Sequence, residues 1–233
     1  MIIPASVMAQ KDVAESRSKI AELHKIVENI YPINDEYING FIYPISNTRI
    51  NGDPYFNSPE LIEGTLFINK KAYSNKLIKY DLIIDELIIK TKTEQDIERL
   101  LILNKSQLDS FLIGTDIFVN SRILFPEEKS NTFYQKIHQG NLSVYKHYEK
   151  RFIDTYTSSS PFGKYSDQKS TLYLFNDKQL ININQKKMFL NSFEKNNQAL
   201  IRKYIKLKKI KYKNISRSQL IDLIEYTIKL TSE

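Results

Sequence analysis

Apolar residues change their spacing twice along this chain of 233 residues. Between residues 12 and 30 they recur three and four positions apart, which predicts an amphipathic helix that Pro32 ends. From residue 37 to residue 193 the spacing is two and β-branched and aromatic residues dominate, which predicts strands. The helical spacing then returns. The pattern predicts a mainly β protein with flanking helices, an α+β fold with two C-terminal helices.

The segment with a spacing of two divides into eleven candidate strands joined by polar links of hairpin length. The candidates are residues 37–43, 64–68, 77–84, 87–91, 99–103, 110–114, 117–124, 132–139, 142–148, 170–175 and 179–183. Neighbouring strands are expected to pair antiparallel in sequence order, with turns at 69–71, 85–86, 104–105, 140–141 and 176–178. This predicts an antiparallel meander sheet, either open, folded as a sandwich or partly closed as a barrel. The sequence shows no βαβ crossover pattern, which argues against a doubly wound nucleotide-binding fold.

The sequence predicts a single domain that is preceded by the end of a signal peptide, as in an exported protein. Residues 1–10 place Val7-Met8-Ala9 before Gln10, as a signal peptidase site requires, so we interpret them as the remnant of a signal peptide. Residues 11–35 are then the N-terminal helix and lead-in, residues 36–193 the antiparallel β domain, and residues 194–233 the C-terminal helices packed on the same domain. We expect a periplasmic or cell-envelope location, where nucleic acid is not a partner.

The charge of the chain favours an acidic partner. The net charge is +7, from 34 basic and 27 acidic residues, which attracts acidic polymers and makes peripheral contact with an anionic membrane an option. The most basic stretch contains a candidate partner or polyanion surface formed by Lys206, Lys208, Lys209 and Lys211. The alternative is compositional, because Lys, Asn, Ile, Tyr and Phe are abundant together, as AT-rich coding DNA produces. Leu207, Ile210 and Tyr212 predict that this stretch lies on the core with its ammonium groups in water.

A second candidate contact is an aromatic loop. Tyr55 and Phe56 follow the turn-forming residues Asn51-Gly52-Asp53-Pro54, so both rings are presented by an irregular segment. They form either a contact loop for a partner or a plug at the end of the sheet.

The sequence predicts no catalytic, metal-binding or cofactor-binding residue. Cysteine is absent, which excludes disulfides and thiolate sites. His24, His138 and His147 lie in different contexts. A two-residue turn at 140–141 would place His138 opposite Ser143 and His147 opposite Tyr134, so the two histidines would not meet.

Three carboxylates surround the predicted turn at 85–86. Asp85 is expected to cap the turn, and Asp81 to point to solvent or to a lysine, while Glu86 completes the group. This arrangement predicts turn formation rather than paired-carboxylate catalysis.

Two groups of segments in this chain resemble known proteins. Residues 37–43, 52–56 and 63–67, with the sequences YINGFIY, GDPYF and EGTLF, resemble uncharacterised exported proteins of the Bacteroidota, which implies an envelope location and a β-rich fold. Residues 145–151 and 157–163, YKHYEKR and TSSSPFG, are similar to the Pro-Phe-Gly segment of lantibiotic dehydratases. Serines stand here in place of the arginine that usually precedes that segment.

Three functions compete at this point. The leading hypothesis is an exported envelope protein that binds a partner protein or an envelope polymer without catalysis. The second is a small apolar ligand binder with a pocket in a curved sheet. The third is an enzyme or enzyme fragment, such as a lantibiotic dehydratase-like peptide-modifying protein. A filled core with an exposed aromatic patch would favour the first, a deep apolar cavity the second, and ionisable groups converging in a cleft the third.

Overall fold

The computed structural model describes residues 40–44, 49–93, 95–126, 131–175 and 179–231. The predicted signal remnant and N-terminal helix, residues 1–35, lie outside these residues. The described strands are β1 Gly40–Ile42, β2 Ile62–Ile68, β3 Lys71–Asp81, β4 Glu86–Lys92, β5 Glu98–Leu103, β6 Leu108–Ile113, β7 Asp116–Asn120, β8 Phe133–His138, β9 Ser143–Glu149, β10 Phe152–Ile153, β11 Lys164–Tyr165, β12 Lys169–Phe175 and β13 Leu180–Asn182. The helices are α1 Ser121–Leu124, α2 Lys186–Asn191, α3 Lys195–Leu207 and α4 Arg217–Thr231, with a 3-10 turn at Tyr212–Asn214.

Eleven strands form one antiparallel sheet in the order β1-β5-β4-β3-β2-β6-β7-β8-β9-β12-β13. The predicted mainly β fold with C-terminal helices is therefore confirmed. The sheet is not closed, because β1 and β13 stand at its two ends, so the open arrangement is the one found. The remaining two strands, β10 and β11, pair with each other.

Pairing in sequence order holds for most of the sheet but fails at β1, which pairs with β5 rather than β2, and again after β5. The hairpin turn at 104–105 was expected to pair β5 with β6, and this prediction is wrong, since β6 lies between β2 and β7. The link is fixed elsewhere: the Lys105 ammonium lies 2.6 Å from a carboxylate oxygen of Asp85, and the Lys105 carbonyl accepts a hydrogen bond from Asn120. These contacts fix the β5–β6 link at the end of the sheet. The sheet thus consists of two meanders that run outward from the β2–β6 pair.

An aromatic core fills one face of the sheet over strands β2 to β9. Its central rings are fully buried and in mutual contact, with Phe111 stacked on Phe118 at 4.9 Å and Phe133 edge-on to Phe111 at 5.0 Å between centroids. Tyr80 packs edge-on against the same three rings. The spacing of two along the strands places these residues on one face.

A second core forms where the C-terminal helices cover β9, β12 and β13. Phe189 of α2, Ile201 of α3 and Leu223 of α4 are fully buried there. The helical region begins earlier than residue 194, because α2 lies within the stretch assigned to the β domain. None of the described helices is long and apolar enough to cross a membrane.

Candidate partner-binding surface

The segment from β10 to β11 is a folded unit rather than an open loop. Residues Phe152 and Ile153 pair with Tyr165 and Lys164. Asn51 lies on the other side of Lys164: its amide donates to the Gly163 carbonyl at 3.3 Å and its carbonyl accepts from Tyr165 at 2.9 Å. The chain therefore holds this unit by main-chain bonds from two sides.

Gly163 is required at the centre of this unit. Its φ of +81° lies in the left-handed region that L side chains rarely adopt. A Cβ there would stand 2.5 Å from Cζ of Phe152 and 2.9 Å from the carbonyl oxygen of Ile153. The close approach of these two segments thus depends on glycine.

Polar contacts hold this unit and the residues just before it in place. The Lys150 side chain is 11% exposed, and its ammonium lies 3.0 Å from the Asp53 carboxylate and donates to the Asp53 carbonyl at 2.9 Å. Ser160 is buried, and its main chain pairs with Thr157. These contacts give the exposed side chains a fixed frame.

Three aromatic rings point outward from this frame. Phe152 is 42% exposed, Tyr156 65% and Phe162 40%. The guanidinium carbon of Arg49 lies 5.4 Å from the Phe162 ring centroid, within cation–π range. With the exposed Lys164, these residues form what we call the Phe162 surface.

The predicted aromatic loop lies inside the protein instead. Tyr55 is 5% exposed and Phe56 4%. Phe56 packs edge-on against Phe118 and Tyr148, and the Tyr55 hydroxyl lies 3.2 Å from that of Tyr43. Of the two expected alternatives, burial of both rings agrees with the plug and not with the contact loop.

The predicted lysine surface is exposed, with one difference in its apolar residues. Lys206, Lys208, Lys209 and Lys211 all face solvent at the C-terminal end of α3 and in the link that follows. Ile210 and Tyr212 are buried as expected, whereas Leu207 is 75% exposed, so its predicted place on the core is wrong. The helix ends at Leu207, and the left-handed Lys209 (φ +51°) redirects the chain before Ile210 reaches the core.

The carboxylates near the β3–β4 turn form a more buried cluster than expected. Asp81 was predicted to face solvent or a lysine, but it is 3% exposed and accepts hydrogen bonds from the Tyr43 hydroxyl and the Ile83 amide. A buried hydroxyl and the turn amides replace water as its partners. Asp85 accepts from the Tyr80 hydroxyl and pairs with Lys105.

Ionisation in this cluster is perturbed. Burial raises the pKa of the Glu86 carboxyl to about 6, Lys105 opposes the rise, and Asp85 and Asp81 add to it. Burial also raises the pKa of the Tyr80 hydroxyl well above its usual value. Sequence reasoning missed Tyr43 and Lys105 because their partners Asp81 and Asp85 are 38 and 20 residues away. It also missed Tyr80, although its partner Asp85 is only five residues away.

His138 and His147, the two histidines among the described residues, each face a different residue across the β8–β9 pair. The β8–β9 register pairs Gln135 with Lys146, which sets His147 opposite Tyr134 as predicted, with ring centroids 5.6 Å apart. A register shift after Lys136 places His138 opposite Val144, so its predicted pairing with Ser143 is wrong. Burial lowers the pKa of His147. Among the described residues, no three His, Cys, Asp or Glu side chains are grouped to hold a metal ion.

By its fold the chain is a mainly β protein: an open antiparallel sheet with an aromatic core. C-terminal helices cover β9, β12 and β13, and aromatic and basic side chains are exposed on the Phe162 surface. No protein-family model, curated protein or solved structure matches this chain.

Proposed function

We propose that the protein is an exported cell-envelope protein that binds a partner protein through the Phe162 surface, without catalysis. The observation that carries this proposal is the exposure of Phe152, Tyr156 and Phe162 on one folded unit that main-chain bonds hold from two sides. A partner that covers exposed aromatic rings removes their apolar area from water, which favours binding.

The composition of this surface favours a protein over an envelope polymer. Aromatic residues and arginine are enriched in the centres of protein interfaces, where they supply most of the binding energy. Covering a half-exposed ring such as Phe162 contributes about 1 kcal/mol from apolar area alone. The guanidinium of Arg49 beside the ring adds positive charge to this surface, which attracts a partner carboxylate. An acidic patch with one apolar pocket is therefore the partner chemistry that fits.

The apolar-ligand alternative has less support. A ligand pocket in the sheet would lie on the face that Tyr80, Phe111, Phe118 and Phe133 occupy, and these rings are in direct contact with each other. A ligand there would have to displace close-packed rings, at a cost of several kcal/mol.

Site-specific photo-crosslinking in the native cell tests the proposal. A photoreactive side chain at Phe162 should give one discrete protein adduct, and the same side chain at Leu207, which is 75% exposed, should not. The substitution Arg49→Ala should weaken the adduct at least several-fold while the chain remains folded. Identical adducts from both positions, or none from Phe162, would contradict the proposal.

Export requires its own test. The mature N-terminus and the compartment of the native protein decide it, with a chain beginning at Gln10 as the expected result. Recovery of the uncleaved chain in the cytoplasmic fraction would exclude an envelope role.

A second function is favoured by one observation. In the segment similar to lantibiotic dehydratases serines replace the preceding arginine, but the fold brings the Arg49 guanidinium to Phe162 of that segment from a distant part of the chain. Under this alternative the Phe162 surface binds a peptide that is modified. Co-expression with a Ser/Thr-rich peptide encoded beside the gene, followed by mass spectrometry, tests it. Loss of water from the peptide, abolished by Arg49→Ala, would support modification, and an unchanged mass would support binding alone.

A further inference from the structure

A polar step interrupts the apolar face of the sheet between its two cores. Phe118 of β7 pairs with Gln135 of β8, Gln135 with Lys146 of β9, and Lys146 with Leu172 of β12. Directly paired residues project from the same face of a sheet. Phe118 belongs to the aromatic core and Leu172 to the helix-covered core, so Gln135 and Lys146 form the boundary between the two.

Lys146 carries a half-buried ammonium group that has no ion-pair partner among the described residues. It donates no hydrogen bond within the described part of the chain, and the ammonium lies 5.2 Å from the centroid of the Tyr148 ring. The carboxylate that attracts the Lys146 ammonium, Asp116, is already paired with Arg217 at 2.9 Å. The group therefore keeps one net positive charge beside two apolar cores.

This charge is costly to the fold. Burial lowers the pKa of the Lys146 ammonium, Asp116 partly opposes the shift, and Arg217 adds to it. An apolar residue of the same length would avoid that cost, as unpaired charges in partly desolvated positions destabilise proteins. Groups kept at such a cost are commonly found in functional sites.

The neighbouring groups complete a set of donors. Gln135 is 4% exposed, and its Oε1 accepts the Tyr148 hydroxyl at 2.8 Å. That bond fixes the side-chain amide, whose Nε2 has no acceptor among the described residues. An ammonium and an amide N–H₂ on adjacent strands offer hydrogen-bond donors without an acceptor, a combination that fits an oxyanion.

We propose that Lys146 and Gln135, flanked by Arg217 at the start of α4, bind an oxyanion, either a carboxylate or a phosphate group. Arg217 belongs to a helix whose first turn faces the same strands, since it contacts Asp116 of β7. A bound anion would neutralise the unpaired ammonium and satisfy the Gln135 amide at once. The site shares no residue with the Phe162 surface and stands independently of the function proposed there.

Calorimetric titration of the full chain with inorganic phosphate and with acetate, each against chloride of equal ionic strength, tests this site. Saturable binding of at least one anion is expected, and Lys146→Met should weaken it at least tenfold. Lys136→Met is the matched control, because Lys136 is the adjacent cation on β8, bonded to Gln139, and faces the opposite side of the sheet.

The stability of the variants makes the result decisive. Without anion, Lys146→Met should be at least as stable as the native chain, whereas a lysine with a purely structural role would lose stability on this change. A phosphate preference would indicate a phosphorylated ligand and an acetate preference a carboxylate. Absence of saturable binding by either anion, or equal binding by Lys146→Met and the native chain, would overturn the proposal. If Lys146→Met does not fold, Lys146→Gln provides the same comparison.

Discussion

The substitution Lys105→Met removes the cation from the buried cluster beside the β3–β4 turn. Lys105 is 10% exposed, its ammonium lies 2.6 Å from the Asp85 carboxylate and 5.0 Å from the Phe133 ring centroid, and it also donates to the Asp85 carbonyl. Breaking a buried ion pair from one side costs about 3–5 kcal/mol. Asp85 keeps the Tyr80 hydroxyl and is 25% exposed, so we expect a loss at or below the bottom of that range, about 2–3 kcal/mol.

Urea denaturation measures this loss as a shift in midpoint at constant slope. The loss should be larger at pH 7 than at pH 5, because Lys105 also lowers the pKa of Glu86, and that attraction is present only when Glu86 is charged. The double variant Lys105→Met, Asp85→Asn should regain part of the stability, since it removes the carboxylate that Lys105→Met alone leaves unpaired. Asn also tolerates the left-handed conformation of Asp85 (φ +55°). A loss below about 1 kcal/mol, or no recovery in the double variant, would show that the cluster is solvated and the reasoning wrong.

Three further predictions follow from particular residues. The pKa of Glu86 is raised from 4.5 to about 6, so the folded state binds this proton more tightly than the unfolded state does. The free energy of unfolding should therefore fall by about 1 kcal/mol as pH rises through that range. Urea titrations at several pH values should show this fall in the native chain and not in Glu86→Gln. Gly163→Ala should cost at least about 1 kcal/mol more than Gly114→Ala in the same denaturation assay, because both glycines have positive φ but only Gly163 has a close neighbour for the new Cβ. The lysine surface should bind heparin or anionic vesicles weakly at low salt and release them near physiological ionic strength. Saturable binding at that salt would instead make it a functional surface, provided that the binding is abolished when its four lysines are changed together to Gln (Lys206, Lys208, Lys209 and Lys211).

The local parts of the fold could be predicted from the sequence because their signals lie within a few residues of each other. The spacing of two and the polar links located β8, β9 and their hairpin, and the return of helical spacing located α3 and α4. The path of the β5–β6 link could not be predicted, since it depends on contacts of Lys105 with Asp85 and Asn120. These residues are 20 and 15 positions from Lys105 in sequence and meet it only when the sheet forms.

The same limit applies to the candidate surfaces. The lysine surface was predictable, as exposed charges need no partner to be recognised. Lys146 was not, because its neighbours Gln135 and Leu172 are fixed by the register of three strands. Phe162 carried a sequence signal in its Pro-Phe-Gly segment, but its contact with Arg49 depends on a bridge between Asn51 and Lys164.

Lys105 and Lys146 allow a direct comparison of what a buried cation contributes to this sheet. Both ammonium groups lie near an aromatic ring, at 5.0 Å from Phe133 for Lys105 and 5.2 Å from Tyr148 for Lys146. Ring contact is therefore common to both, and the difference is the carboxylate, which only Lys105 has as an ion-pair partner. If pairing decides the energy, Lys105→Met destabilises the chain and Lys146→Met does not, because one variant strands an anion and the other removes an unpaired cation. Equal losses in both variants would mean that the contacts of the lysine stems and the rings, rather than charge, hold these side chains in place, and the argument for an oxyanion at Lys146 would lose its energetic basis.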